Sequence, residues 1–381
     1  MTGRWRSGGV ALSMVVAVAC AASGPSPDAS PAVTSATAGV TTATTAASSS
    51  TTTVVVRPIE RVTLAFSGDL LPHLAVVDRA RADGANAGVA YDFRPMLALV
   101  APRLARANLA ICHLEVPLSV DDTVISGYPV FSAPHERADA VSAAGYDGCS
   151  TASNHSLDQR VAGVVGTLAV LDQNGLGHSG TARSAAEAER STLFETPTGV
   201  TVGLVSGAYG FNGFSPDVPW RVRGLDPAGL IAAGEAARRA GADLVVASLH
   251  WGVERRHEPT AEQLALAEQL STSGAFDLIV GHHAHVVQPI VRLHGVPVVF
   301  GLGNFLSNMT EPDTRDGVIV RVRAARDPGA TRWRLDIALT PTTVDPTSFT
   351  VVPVGPGDPS WDRTISVMTS AGVGHPGHQP A

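Results

Sequence analysis

Between Val62 and Asn304, nearly every short apolar run stops at a polar side chain able to bind a metal. The run 62–66 leads into Gly68-Asp69, 108–114 into Glu115, 146–150 into Asn154-His155, and 244–249 into His250. Likewise 278–280 leads into Gly281-His282-His283 and 298–300 into Gly301-Leu302-Gly303-Asn304, while 202–206 lacks such an ending. Runs of this length and content read as buried strands. The stretches between them at 94–107, 157–174, 227–240 and 260–273 carry apolar residues at three- and four-residue spacing, with Asn174-Gly175 and Ser273-Gly274 as helix stops. This alternation predicts a sheet covered by helices on both faces. In such a sheet the strand ends and their loops converge on one edge, where a site is expected. After Asp316, the runs 318–324, 333–340 and 349–354 read as consecutive strands, either an antiparallel extension of the sheet or a second sheet.

The amino end reads as a targeting segment. Arg4 and Arg6 precede an apolar stretch at 10–19, too short to cross a hydrocarbon core of about 30 Å. Ala17-Val18-Ala19-Cys20 resembles a lipobox, so 1–20 is expected to be a lipoprotein signal peptide with lipidated Cys20 as membrane anchor; the alternative is an ordinary signal cleaved near Ala22. Residues 21–57 are almost wholly Ala, Ser, Thr, Pro, Gly and Val. They offer too little apolar surface to offset their ordering entropy, which predicts a disordered tether reaching roughly 30 Å. One domain is expected over 58–356, followed by a flexible C-terminal tail, 357–381. The protein is therefore expected outside the cytoplasm, anchored to the cell membrane. Cys112 and Cys149 both fall on expected core strands. They read equally as a disulfide, which an exported protein allows, or as two small buried residues. A net charge of -7 with no basic run excludes a nucleic-acid partner.

Each polar ending has a bland reading beside a chemical one. Asp69 is a turn residue or a ligand. Glu115, at the end of a buried run, needs a partner, most simply a cation. Asn154 is a helix cap or a hard oxygen ligand, and the adjacent His155 is an acid or a hydrogen-bond donor. His250 is a satisfied core histidine or a ligand. The run Gly281-His282-His283-Ala284-His285 is the sharpest signal in a chain with 13 His. Imidazoles so crowded repel one another when charged and are costly to bury unpaired; neutral nitrogens facing a divalent ion remove both difficulties. His375 and His378 lie in a Gly/Pro-rich stretch and read as solvated. The mixed oxygen and nitrogen set without thiolate suits Mn, Fe or Zn, and a bridging carboxylate favours two metals about 3.5–4 Å apart.

In this order, Gly68-Asp69, Leu114-Glu115, Asn154-His155-Ser156-Leu157-Asp158, His250-Trp251-Gly252, Gly281-His282-His283-Ala284-His285-Val286 and Leu302-Gly303-Asn304-Phe305 resemble the CapA family. These are the bacterial poly-γ-glutamate capsule biosynthesis proteins, related to the calcineurin-like metallophosphoesterases. The likeness runs from about Val62 to Phe305. It implies an α/β fold, a four-layer αββα metallophosphoesterase-like sandwich with C-terminal antiparallel strands. It also implies metal ligation by Asp69, Glu115, Asn154, His250, His283 and His285, although which two of His282, His283 and His285 bind stays open. His155 corresponds to the histidine that protonates a leaving group, and Asp158 to the residue that orients it. There are departures. Leu71 stands where catalytic relatives carry the His of Asp-x-His, with His73 two residues further on. Glu115 replaces a bridging Asp, as in CapA-like proteins, and His113 stands where Asn is commoner.

The function implied is an exported, lipid-anchored, di-metal component of poly-γ-glutamate capsule or cell-envelope polymer biosynthesis, acting by metal-dependent hydrolysis on an anionic polymer or phosphoester. One alternative is a general extracytoplasmic phosphoesterase. The other is a non-catalytic, metal-stabilised scaffold for a membrane-bound polymer synthase. Tyr209, Phe211, Phe214 and Trp251 read either as walls of a substrate cleft or as packing.

Overall fold

The computed structural model describes residues 59–370 and the backbone of 379–380. The expected signal peptide, Cys20 and the tether up to 57 lie outside the described residues, as do His375 and His378.

The strands are β1 (Glu60–Leu70), β2 (Leu109–Leu114), β3 (Gly148–Ser150), β4 (Gly177–Ser179), β5 (Thr192–Glu195), β6 (Thr201–Ala208), β7 (Leu244–His250) and β8 (Leu278–His282). They continue as β9 (Ile290–Leu293), β10 (Val296–Val299), β11 (Asn304–Leu306), β12 (Asp316–Arg326), β13 (Arg334–Val344), β14 (Val351–Pro353) and β15 (Gln379–Pro380). One sheet runs β14-β13-β12-β1-β2-β3-β4, with β11 also on β1; the other runs β15-β9-β10-β8-β7-β6-β5. Pairing of β1, β2, β3 and β4 is parallel, as is that of β6, β7 and β8. The C-terminal strands β12, β13 and β14 extend the first sheet in antiparallel fashion.

Strand periodicity divides the core into layers. From β1, Val62, Leu64 and Phe66 point between the sheets and meet Leu244 and Val246 of β7 and Leu278 and Val280 of β8. The alternate residues Ala110, Cys112 and Leu114 of β2 pack on helices of the first sheet, including Val76, Val77, Leu168 and Leu171. On the far side, Val245, Ala247 and Leu249 pack with Leu230, Ala267 and Leu270. Three apolar layers separate four layers of secondary structure, the αββα sandwich expected.

The helices depart from expectation in places. The stretch 94–107 is two short helices, Arg94–Leu97 and Ala101–Leu104, because Pro102 lacks the N–H that a continuous helix needs. The helix expected over 157–174 begins only at Arg160; residues 153–159 form turns that carry His155 and Asp158. Leu74–Ala87 is a helix that the sequence hid, since His73 gives it no side-chain cap and Gly84, a poor helix former, lies within it. The tail expected from 357 is corrected. Asp358 caps the helix Pro359–Met368 with Pro at its start, and buried Thr364 and Met368 fix it to the domain. Ala261–Thr272 carries a full capping box between Thr260 and Gln263. Cys112 and Cys149, in register on β2 and β3, are joined by a disulfide with their Cα atoms 4.4 Å apart.

Candidate metal centre

The parallel strands deliver their last residues to one edge of the sandwich. Asp69 is the penultimate residue of β1 and is fully buried. Its register partners are His113 on β2 and Asn304 on β11. Two glycines permit this closeness. A Cβ at Gly68 would lie 2.1 Å from the Gly303 carbonyl oxygen, and one at Gly281 would lie 2.0 Å from that of Phe300.

Asp69 Oδ1 lies 3.1 Å from His282 Nδ1, and its Oδ2 accepts from the His283 backbone N–H at 3.1 Å and faces His285 Nδ1 at 3.2 Å. His285 Nε2 faces Glu115 Oε1 at 3.6 Å. Opposite them, His250 Nε2 lies 2.9 Å from Asn154 Oδ1, and the His250 and His283 rings are 4.7 Å apart. The six ligands expected from the sequence are thus one buried cluster. His283 and His285 have φ of 89° and 55°, in the left-handed region that non-glycine residues rarely enter. Such strain concentrates at functional sites.

The structure also separates the three imidazoles of that run. Both ring nitrogens of His282 are taken, Nδ1 by Asp69 and Nε2 by Ser248 Oγ at 3.1 Å. Among the described residues His283 Nδ1 has no partner, and neither Glu115 carboxylate oxygen accepts a hydrogen bond. Leaving a buried carboxylate without donors is costly unless a cation faces it.

The electrostatics agree. Burial pushes the Glu115 carboxyl up to about 7, partly opposed by His285. Burial also disfavours charge on His285, but Glu115 and Asp69 outweigh it and lift that imidazole to about 10. A proton on His285 between two carboxylates occupies the electrostatic position that a divalent cation would fill. Burial holds His250 well below the ordinary histidine value, and burial with the nearby His285 takes His283 to about 4, so both offer lone pairs at neutral pH. The donor set therefore fits divalent metal.

His155 and Asp158 stand beside the cluster. His155 Nδ1 is 2.8 Å from Asp158 Oδ2, and Phe131 packs edge-on against the imidazole at 4.7 Å. Asn212, which the sequence did not single out, lies 3.3 Å from His155 Nδ1 and accepts from Asn154 Nδ2 at 3.3 Å. Asn304 also goes beyond its motif role: its Oδ1 lies 3.0 Å from His285 Nδ1, while its amide nitrogen donates to the Thr314 carbonyl at 2.8 Å. Leu71, in the position of the missing histidine, is buried in the core, and His73 packs on Phe131 with its Nδ1 unpartnered among the described residues. Tyr209 is half exposed and its ring lies 4.6 Å from that of His283, a wall of the site. Trp251 is core: it is 1% exposed and donates to the Phe300 carbonyl. Phe211 and Phe214 pack against the helix-side core of the first sheet.

Fold and site together define a class: a two-sheet α/β sandwich with a His-, Asn- and carboxylate-lined centre at its strand ends. Residues 63–309 match the model of the bacterial capsule synthesis protein family PGA_cap, and the chain belongs to that family. It is 34% identical over 179 residues to the PGA biosynthesis protein CapA of Bacillus subtilis, covering 45% of each chain. It is 27% identical over 285 residues to the capsule biosynthesis protein CapA of Bacillus anthracis, covering 70% of this chain and 64% of that one. The match thus spans about half to two thirds of these relatives. Solved structures similar to it include a phosphatase from Mycoplasma pneumoniae, with a TM-score of 0.43 and 14% identity over 76% of this chain and 97% of that one. The calcineurin-like phosphoesterase YfkN from Bacillus subtilis has a TM-score of 0.40 and 13% identity over 81% and 96%.

Proposed function

We infer that the domain is a metal-dependent hydrolytic component of poly-γ-glutamate capsule or envelope-polymer assembly, held outside the cell by lipidated Cys20. One observation carries the reading. Asp69, Glu115, Asn154, His250, His283 and His285 converge in a buried cluster with orphaned Glu115 oxygens, beside the His155–Asp158 pair. Two divalent ions held there would polarise a phosphoryl or acyl oxygen and lower the pKa of bound water. The protein's own part is positional. Asp158 fixes the imidazole of His155, which offers its other nitrogen to a leaving group as general acid. The anionic polymer and the capsule role follow the names of the relatives. The Cys112–Cys149 disulfide supports an oxidising location outside the cytoplasm.

The test is turnover of a generic phosphodiester and of γ-linked glutamate polymer by the Mn- or Zn-loaded protein. Turnover that His155→Ala abolishes while metal is retained supports hydrolysis. Bound metal with no turnover on either substrate overturns it in favour of a scaffold for a membrane-bound synthase, a reading that buried Leu71 favours because it removes one expected ligand. Turnover of the phosphodiester alone, with no polymer cleavage, favours the general phosphoesterase.

A further inference from the structure

Two imidazoles of the site are not among its expected ligands, His113 and His282. Both are buried, and their rings stack 4.0 Å apart. His113 Nε2 lies 2.9 Å from His250 Nδ1, and its Nδ1 lies 2.8 Å from Ser150 Oγ. Ser248 Oγ donates to Ser150 Oγ at 2.9 Å, and His282 joins Ser248 to Asp69. A continuous chain of side chains therefore runs behind the cluster from His250 to Asp69.

Its direction can be read from Ser150. That hydroxyl has one proton, which it donates to the Cys112 carbonyl at 3.4 Å, and it already accepts from Ser248. Toward His113 it has only a lone pair left, so His113 donates from Nδ1 and keeps a lone pair on Nε2. That lone pair faces His250 Nδ1, which must then carry the proton. His250 Nε2 is left with its lone pair aimed at Asn154 Oδ1, an acceptor, 2.9 Å away. Two acceptors at that distance repel unless a cation lies between or beside them. Histidine ligands are commonly oriented through the ring nitrogen that does not bind metal, which usually donates to a carboxylate or carbonyl. Here another imidazole takes that part.

We propose that His113 is a positioning residue that accepts the Nδ1 proton of His250 and so holds His250 in the tautomer whose Nε2 lone pair faces the metal. This rests on the reading of the cluster as a metal site. Ser150 and Ser248 act through His113, and His282 ties the same chain to Asp69.

The test is calorimetric titration of the metal-free full domain with Mn²⁺ and with Zn²⁺, comparing wild type, His113→Leu, His113→Gln and Ser150→Ala, with thermal melts in chelator as a control for folding. His113→Leu is expected to weaken the metal held by His250 about 10–100-fold while leaving the one at Asp69, Glu115 and His285 unchanged. His113→Gln, whose amide oxygen can accept the His250 proton, is expected to recover most of that loss. Ser150→Ala, a smaller change for a less tolerant fold, should weaken the same metal by a smaller factor. Unchanged affinity in His113→Leu, or equal weakening of both metals with no recovery in His113→Gln, overturns the role of His113 while leaving the metal site standing. Absence of metal binding in the wild type overturns the site itself, and this role with it.

Discussion

Asp158 Oδ2 takes two hydrogen bonds at once, from the Phe131 backbone N–H at 2.6 Å and at the His155 Nδ1 side at 2.8 Å. A carboxylate so tied cannot swing away, so it fixes both the plane and the tautomer of His155. Asp158→Asn is expected to keep the fold and the bound metal but lower kcat by about 10²–10⁴-fold, the usual worth of a positioned acid. Steady-state kinetics with metal analysis of the same sample checks this.

Glu115 sets a pH dependence. Its folded value of about 7 lies above the ordinary 4.5 because burial penalises its charge. The metal-free fold therefore keeps a proton that the unfolded chain gives up. The stability this proton contributes is complete below about 4.5 and is lost as pH rises through 7. Glu115→Gln imitates the protonated acid. In chelator, its stability relative to wild type should rise between pH 4.5 and 7, by on the order of 2–3 kcal/mol. Denaturant melts of both proteins across that range measure the difference.

Metal competes with that same proton. Affinity for Mn²⁺ or Zn²⁺ should climb with pH through about 7 and onward toward 10, since Glu115 and then His285 must each give up a proton to bind. Titrations at several pH values check this, and Glu115→Gln should flatten the climb.

The disulfide joins the strands that carry His113, Glu115 and Ser150 toward the site. Replacing Cys112 and Cys149 together by Ala is expected to cost about 2–4 kcal/mol. Urea midpoints of wild type with and without reductant, set against the double variant, measure it.

The anchor proposed at Cys20 predicts that Cys20→Ser moves the protein from the membrane fraction to the medium. Fractionation of cells expressing each form checks this.

Much of the fold was legible because parallel strands buried on both faces read as plain apolar runs, and most of them ended at a candidate ligand. Short strands were not legible. Gly177–Ser179 and Asn304–Leu306 hold their place through neighbours rather than through any pattern of their own. Helices were missed where caps were missing, as at His73, and over-extended where Pro102 broke them. In the site, Asp69, Glu115, His250 and His283 stood at strand ends and announced themselves. His113 lies inside a strand, where a histidine reads as ordinary core, and only the register of β1 and β2 brings it under the cluster. Asn212 sits in a loop far along the chain, with no local signal that it meets His155. The choice among His282, His283 and His285 turns on side-chain direction, which spacing alone does not carry; the left-handed backbone of His283 and His285 has no signal in the spacing.

The most direct test is elemental analysis of the full domain purified without chelator or metal-affinity steps, beside Glu115→Ala and His250→Ala. The account expects about two divalent ions per chain in the wild type, fewer in each variant, and a fall in melting temperature when chelator strips them. A wild-type protein that carries no Mn, Fe or Zn, and takes up none on titration, contradicts it.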